Sequence, residues 1–173
     1  MKTATATDII IIGGGAAGLM CGIEAGKRGR SVIILEHNDR IGKKIRISGG
    51  GRCNFTNIHA GSENFISQNP HFAKSALTRY TPQDFCTWVR SHNIAFHEKK
   101  LGQLFCDGSA QAIIDMLKVE CDRYGVKILI DTSVTEISKT DGFHIATSRG
   151  EFQSESVVVA TGGLSIPPLG ATD

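Results

Sequence analysis

Two glycine-rich stretches carry the residue types and spacings that could do chemistry. The first, Gly13-Gly14-Gly15-Ala16-Ala17-Gly18, has the spacing G-x-G-x-x-G. Gly13 there permits a tight turn, Gly15 lets a pyrophosphate approach the backbone, and Gly18 lets a helix pack closely on a strand. Glu36 follows Gly18 by 18 residues, where a carboxylate accepts hydrogen bonds from a ribose diol and repels a 2′-phosphate. The pattern predicts a bound dinucleotide and disfavours NADP. The second stretch, Arg46 to Asn57, reads RISGGGRCNFTN. Gly loses the most backbone entropy on ordering, so three in a row do not make the interior of a helix or strand. They predict a loop that a ligand passes closely. From Lys27 to Arg52 eight cations stand against Glu36 and Asp39, a local balance of +6 in a chain of net +2, which suits an anionic ligand. A solvated surface of scattered Lys and Arg is the plain alternative, with most weight at Lys27, Arg28 and Arg30.

The elements that must position these loops follow from periodicity. DIIII (8–12) is short, β-branched and uninterrupted, as a buried strand is. LMCGIEAGKRG predicts a helix ending near Gly29, and SVIILE (31–36) a second buried strand. Strand, glycine loop, helix and strand form a βαβ unit, which favours a parallel sheet with a right-handed crossover. Lys43–Ile47 is expected to be partly structured, and 58–80 gives weak signals. Thr81 as N-cap and Pro82 at the first position open a helix with an apolar stripe of Phe85, Trp88 and Val89. Residues 95–106 predict a hairpin turning at Gly102. Ser109 caps a strong amphipathic helix with Ile113, Ile114, Leu117 and Cys121 inward, ended by Gly125, and VKILI (126–130) is a third buried strand. From 133 the period becomes two: SVTEIS, FHIATS and EFQSES read as a small antiparallel meander returning to a last core strand, VVVAT. The fold class is α/β, a Rossmann-like FAD/NAD(P)-binding domain with a parallel sheet and a small antiparallel β-meander.

Composition narrows the function classes. Twenty of 173 residues are glycine, well above a typical ~7%, and they cluster, which favours turns and ligand loops over a linker. The five cysteines are widely spaced, with no Cys-x-x-Cys pair and no zinc spacing. A reducing, cytoplasmic setting is expected, and the formal glycosylation acceptor at Asn54–Thr56 is set aside because no signal peptide precedes it. No stretch approaches the ~18 apolar residues of a membrane span. Cys53 has no other cysteine within 30 residues, so the sequence favours a small buried residue over an exchanging dithiol. The six histidines are dispersed, no metal site is expected, and no catalytic residue can be named.

The glycine motif leaves FAD and NAD open. The meander, the small-residue turn after VVVATGG (157–163) with Pro167, and SGGGRCN favour FAD. The run IIIIGGGAAGLMCGIEAGKRGRSVIILEHNDRIGKKIRISGGGRCNFTN, followed by ATGGLSIPPLGATD, resembles the YhiN/BaiN-like flavoproteins, also described as aminoacetone-oxidase-like or NAD(P)/FAD-dependent oxidoreductases. GKKIRISGGGRCNFTN is the most specific part. Phe105-Cys106 stands where a Phe-Pro pair is usual in that family. The resemblance implies FAD as cofactor, with NAD(P)H as an accompanying reductant, and a small-molecule substrate. It implies that Gly13, Gly15, Ala16, Ala17 and Gly18 contact the pyrophosphate and that Glu36 and His37 lie at the ribose. Lys44 and Arg46 would start a cofactor-wrapping loop. Gly49, Gly50, Gly51, Arg52, Cys53 and Asn54 would lie near pyrophosphate and flavin, Arg52 as a cation able to pair with phosphate or reduced flavin. Val134 would meet adenine through its backbone, and Ala160, Thr161 and Gly162 would turn over the cofactor.

Family members continue past ATGG into a substrate-side domain and return with a final strand and a Gly-Asp motif. No Gly-Asp pair occurs here. The expected organisation is therefore one FAD-binding domain over 1–173, incomplete at its C-terminus, with a helix–hairpin insertion at 58–106. An RNA-modifying flavoprotein, a non-catalytic dinucleotide-binding fragment and a plain NAD dehydrogenase stand as alternatives. Against RNA, the basic window coincides with the cofactor loops and leaves no separate stripe. The oligomeric state is not legible.

Overall fold

The computed structural model describes residues 4–163. In chain order the elements are β1 (Thr5–Ile12), α1 (Ala16–Lys27), β2 (Val32–Leu35), α2 (Lys43–Ile47), β3 (Asn54–Asn57), α3 (Lys74–Arg79), α4 (Pro82–Ser91), β4 (Phe96–Glu98), β5 (Gln103–Cys106), α5 (Gln111–Arg123), β6 (Lys127–Leu129), β7 (Val134–Lys139), β8 (Phe143–Thr147) and β9 (Gly150–Val159). They form two compact units: the chain up to Lys44 together with that from Leu117 onward, and Ile45–Met116.

The first unit holds a six-stranded sheet in the order β6-β2-β1-β9-β8-β7. β6, β2, β1 and β9 run parallel, whereas β9-β8-β7 is an antiparallel meander. Ile10 and Ile11 are fully buried on opposite faces of β1 and all of β2 is buried, as a parallel sheet covered on both faces requires. The first helix ends where expected, at Gly29 with φ +75°, a left-handed residue that glycine supplies without steric cost. Cys121 and Leu117, expected on the inner face of α5, are buried, and Gly125 follows with φ +69°.

One expectation changes. EFQSES and VVVAT are not two segments but a single ten-residue strand, β9. Its first half pairs antiparallel with β8, while residues from Phe152 to Val159 pair parallel with β1, from Thr5↔Phe152 to Ile12↔Val159. Ser154 and Ser156 read as a break in the pattern, yet they lie opposite Thr7 and Ile9 in the ladder. A ladder is made by backbone groups, so polar side chains do not interrupt it when a neighbouring strand continues alongside.

The second unit holds an antiparallel sheet in the order β3-β5-β4. The hairpin turns at Gly102, φ +77°, as expected. Thr81 caps α4 reciprocally: the Asp84 N–H donates to Thr81 Oγ1 (3.2 Å) and the Thr81 N–H to Asp84 Oδ2 (2.8 Å), a capping box with Asp in the usual Glu position. The stripe on α4 is shifted. Cys86 and Val89 are buried, while Phe85 and Trp88 are half-buried, the Phe85 ring lying 5.7 Å from that of Phe55 and 5.8 Å from that of Trp88. Ile113 and Ile114 of α5 are buried, as the sequence predicts.

Candidate functional site: a crevice at the strand ends and a left-handed glycine loop

In the first unit, β1 lies between β2 and β9. The chain leaves β1 toward one side and β9 occupies the other, so a crevice opens at the carboxyl ends of these strands, where open α/β sheets bind ligands. Backbone bonds fix its floor: Gly13 N–H to the Leu35 carbonyl and Ala160 N–H to the Ile12 carbonyl, both 2.8 Å. The two outer glycines of the motif are there because nothing larger fits. A Cβ on Gly13 would lie 2.4 Å from the Ala160 carbonyl oxygen, and one on Gly18 1.9 Å from that of Gly13. Gly15 differs: a Cβ there would meet nothing within 4 Å. α1 begins with no capping side chain and no acid in its first turn. The leading N–H groups, at Ala16, Ala17 and Gly18, thus have no partner within the helix and stand beside the open side of Gly15. Lys44 Nζ donates to the carbonyl of Gly163 and sits 3.3 Å from the Cβ position of Gly162. Lys44 thus lies against the segment Ala160–Gly163 that follows β9.

Glu36 is buried, with 6% of its surface exposed, and the protein itself already uses much of its carboxylate. Oε2 accepts from the Gly14 N–H (2.7 Å), and Oε1 from the N–H (2.8 Å) and side-chain amide (2.6 Å) of Asn38. His37 Nδ1 lies 3.3 Å from Oε1, its ring half in solvent. A carboxylate has about four acceptor positions, which leaves one on Oε2. Glu36 therefore braces the glycine loop and has one acceptor position unused. Val134 opens the edge strand β7. The chain just before it is tied to the Glu36 loop by the Thr132 N–H to the Glu36 carbonyl and the Asp131 N–H to the Asn38 carbonyl, both 2.9 Å. Asn38, Thr132 and Gly42, whose N–H reaches the Gly14 carbonyl at 2.9 Å, are structural members that spacing did not reveal.

In the second unit, Gly49, Gly50 and Gly51 all have left-handed backbone, with φ of 59°, 68° and 87°. Ser48's carbonyl accepts from the N–H groups of both Arg52 and Cys53. The Gly51 carbonyl accepts from Ala110 (2.7 Å) and the Arg52 carbonyl from Cys106 (3.0 Å). Gly49 packs on the Phe105 ring, which a Cβ would approach to 2.6 Å, whereas a Cβ on Gly50 would meet nothing. The Asn54 amide, turned with its nitrogen inward, donates to the carbonyls of Thr56 and Leu104 at 3.2 Å, so its side chain serves the sheet. Arg46 donates through one terminal nitrogen to Gln111 Oε1, and Gln111 Nε2 holds Asp115 at 2.7 Å. Arg46 Nε is buried without a partner. Arg52 is exposed, and among the described residues no carboxylate pairs with it.

Cys53 is buried, at 4% exposure, and itself left-handed at φ +55°. Burial pushes its thiol up, against a smaller opposing effect of a hydrogen bond from Ser48. Burial likewise pushes Cys106 up to about 11, with the nearby Cys53 adding to it. The sequence placed no cysteine near Cys53; the fold brings Cys106 to it. Among the described residues no group of three or more His, Cys, Asp or Glu could hold a metal ion, and no helix is long and apolar enough to cross a membrane.

Known proteins are similar to this chain. A protein of Haemophilus influenzae named ribosomal RNA dihydrouridine synthase is 49% identical over 171 residues, 96% of this chain and 43% of the relative. A Clostridium scindens protein named 3-dehydro-bile acid delta(4,6)-reductase is 30% identical over 165 residues, 93% of this chain and 40% of the relative. The chain thus spans less than half the length of the curated relatives it matches. Glycine oxidase from Geobacillus kaustophilus superposes with a TM-score of 0.67 at 20% identity, over 92% of this chain and 56% of that one, which establishes a shared fold. The model of the HI0933-like protein Rossmann domain matches residues 7–173, and the chain belongs to that family.

Proposed function

We propose that this chain is the FAD-binding part of a flavin-dependent reductase. The observation that carries the reading is the open, uncapped first turn of α1 beside Gly15, with one acceptor position left on buried Glu36. The first suits a pyrophosphate, and the second suits a ribose hydroxyl but not a 2′-phosphate. In the second unit, the orphaned Arg46 Nε suits a further anionic group. Bound FAD would supply the two-electron chemistry. The chain's residues would hold it: Gly13, Gly15, Ala16, Ala17 and Gly18 at the phosphates, and Glu36 with His37 at the ribose. Val134 would lie at the adenine, and Ala160, Thr161 and Gly162 with Lys44 over the crevice. Arg46, Gly49, Gly50, Gly51 and Arg52 would serve through charge and open backbone, Cys53 and Asn54 through backbone alone. As organisation we propose one FAD-binding domain over 1–173, continued in the complete protein, with 58–106 as its helix–hairpin insertion.

The relatives' names favour a substrate class. Making dihydrouridine and reducing a delta(4,6) bile acid both add two hydrogens to a ring carbon–carbon double bond conjugated with a carbonyl. The higher identity of the ribosomal RNA relative favours a uracil ring in RNA over a free small molecule. RNA binding itself would rest with the rest of the protein, because half of the cations in the basic window already pair with carboxylates and most of the others flank the proposed cofactor loops. Lys27 and Arg28 pair with Glu24, Arg40 with Asp39, and Lys43 with Asn38 and Asp39. The cofactor reading is tested on the purified chain by the rise in melting temperature with FAD, NAD and NADP. FAD alone should stabilise it, and stabilisation by NAD without FAD would overturn the reading. The substrate reading is tested by mass spectrometry of ribosomal RNA from cells lacking the gene; unchanged dihydrouridine would transfer the proposal to small conjugated ketones.

A further inference from the structure

Cys53 and Cys106 are fifty-three positions apart in the chain yet lie side by side. Asn54 pairs with Phe105 in the β3–β5 ladder, and the Cys106 N–H donates to the carbonyl of Arg52 at 3.0 Å. Cys53 is therefore bracketed by two direct contacts to the strand that carries Cys106. Cys53 lies one residue before the start of β3, between these two contacts, and is near enough to act on the Cys106 thiol; a disulfide spans Cα separations of ~4.4–6.8 Å. Both thiols are free and buried, at 4% and 0% exposure. Cys53 also occupies a left-handed conformation that costs a non-glycine residue energy and persists only where its surroundings enforce it.

We propose that Cys53 and Cys106 are a site of reversible disulfide modification by low-molecular-weight disulfides, joining the exit of the second glycine loop to β5. The more exposed thiol, Cys53, loses its proton and attacks a sulfur of the oxidant, forming a mixed disulfide and releasing one small thiol. Cys106, deprotonated in turn, attacks the Cys53 sulfur and expels the second. Two electrons pass to the oxidant, two protons leave the cysteines, and two small thiols are formed. Access comes through β3, an edge strand of four residues whose ladder is irregular between Asn54 and Thr56; short, irregular edges open at low cost. Because burial raises both thiols, the thiolate fraction and the reaction rate should grow as pH rises from neutral toward alkaline.

The test is incubation of the native chain with oxidised glutathione at mildly alkaline pH, blocking of remaining thiols, and peptide mapping. The expected product links Cys53 to Cys106 and leaves Cys86 and Cys121 blocked as free thiols. In Cys106→Ser the reaction should stop at one glutathione on Cys53, removable by dithiothreitol. In the linked wild type, amide exchange across 49–54 should slow about tenfold, as local opening is suppressed. Cys53 and Cys106 remaining free while half-exposed Cys21 reacts, or equal linkage of Cys86 or Cys121, would overturn the proposal, as would unchanged exchange in the linked form.

Discussion

The two glycine loops use one residue type for different physical reasons. In the loop at Gly13–Gly18 the outer glycines are demanded by collision, since the Cβ positions of Gly13 and Gly18 fall within 2.4 and 1.9 Å of backbone oxygens, and at Gly13 also by a positive φ of +112°. In the loop at Gly49–Gly51 the demand comes from conformation, three successive left-handed residues, with crowding confined to Gly49. The first loop is therefore built by its own packing and leaves one deliberate opening, at Gly15. The second is a backbone path with open space outside Gly50. A glycine motif is thus mainly a matter of packing in one place and mainly of conformation in the other.

The largest effect should come from closing the first loop. Gly18→Ala puts a methyl group against a backbone oxygen that no rotamer change can move, and overpacking of this kind costs about 3 kcal/mol. For a chain of this size that is a fall of about 6–12 °C in melting temperature; a fall under a degree would show that collision does not define this loop. Next is Glu36→Gln, which sets an amide nitrogen against N–H donors in a buried position. A loss of about 2 kcal/mol in urea unfolding is expected, with FAD affinity weakened as well, because the same group serves loop and ribose.

Two glycine substitutions then separate anatomy from conformation. Gly50→Ala should cost about 1 kcal/mol, with Gly50→Asn in between, since Asn tolerates the left-handed region better than Ala. Equal stabilities of the two variants would break the conformational account. Gly15→Ala sits on ordinary extended backbone, φ −86°, with free space around it. Its stability should stay within ~0.5 kcal/mol of wild type, while FAD retention on a desalting column falls. Unchanged retention would remove the pyrophosphate from that opening. The smallest effect concerns the second unit's cap. Hydrogen bonds from Thr81 lower the Asp84 carboxyl, so its contribution is present above the unfolded carboxylate range and is lost as pH falls through the lower, folded value. Asp84→Asn should narrow the stability gap between neutral and acid pH; a gap of unchanged width would argue against the cap.

Local patterns were legible wherever the physics is local. The strand IIII, the helix stop at Gly29, the Thr81 cap and the hairpin at Gly102 each depend on a few neighbouring residues. Phe85 and Trp88 were misplaced in degree because a helical stripe shows which face is apolar, not what covers it. The break seen at Ser154–Ser156 vanished because β1, far away in sequence, runs past both halves of β9. At the site, Glu36 could be picked out by its distance from Gly18, but not Asn38 or the Gly14 N–H, which occupy most of its acceptors.

The sequence by itself determined the βαβ unit, the acid after the second strand and the presence of a second glycine loop, because each is set by period, sterics or backbone entropy within a short segment. The tertiary structure alone decided which glycines face open space, how many acceptors Glu36 has left, and that Cys106 comes near Cys53. Those depend on which distant segments meet, and pairing across a sheet such as Asn54↔Phe105 leaves no trace in the spacing of either segment.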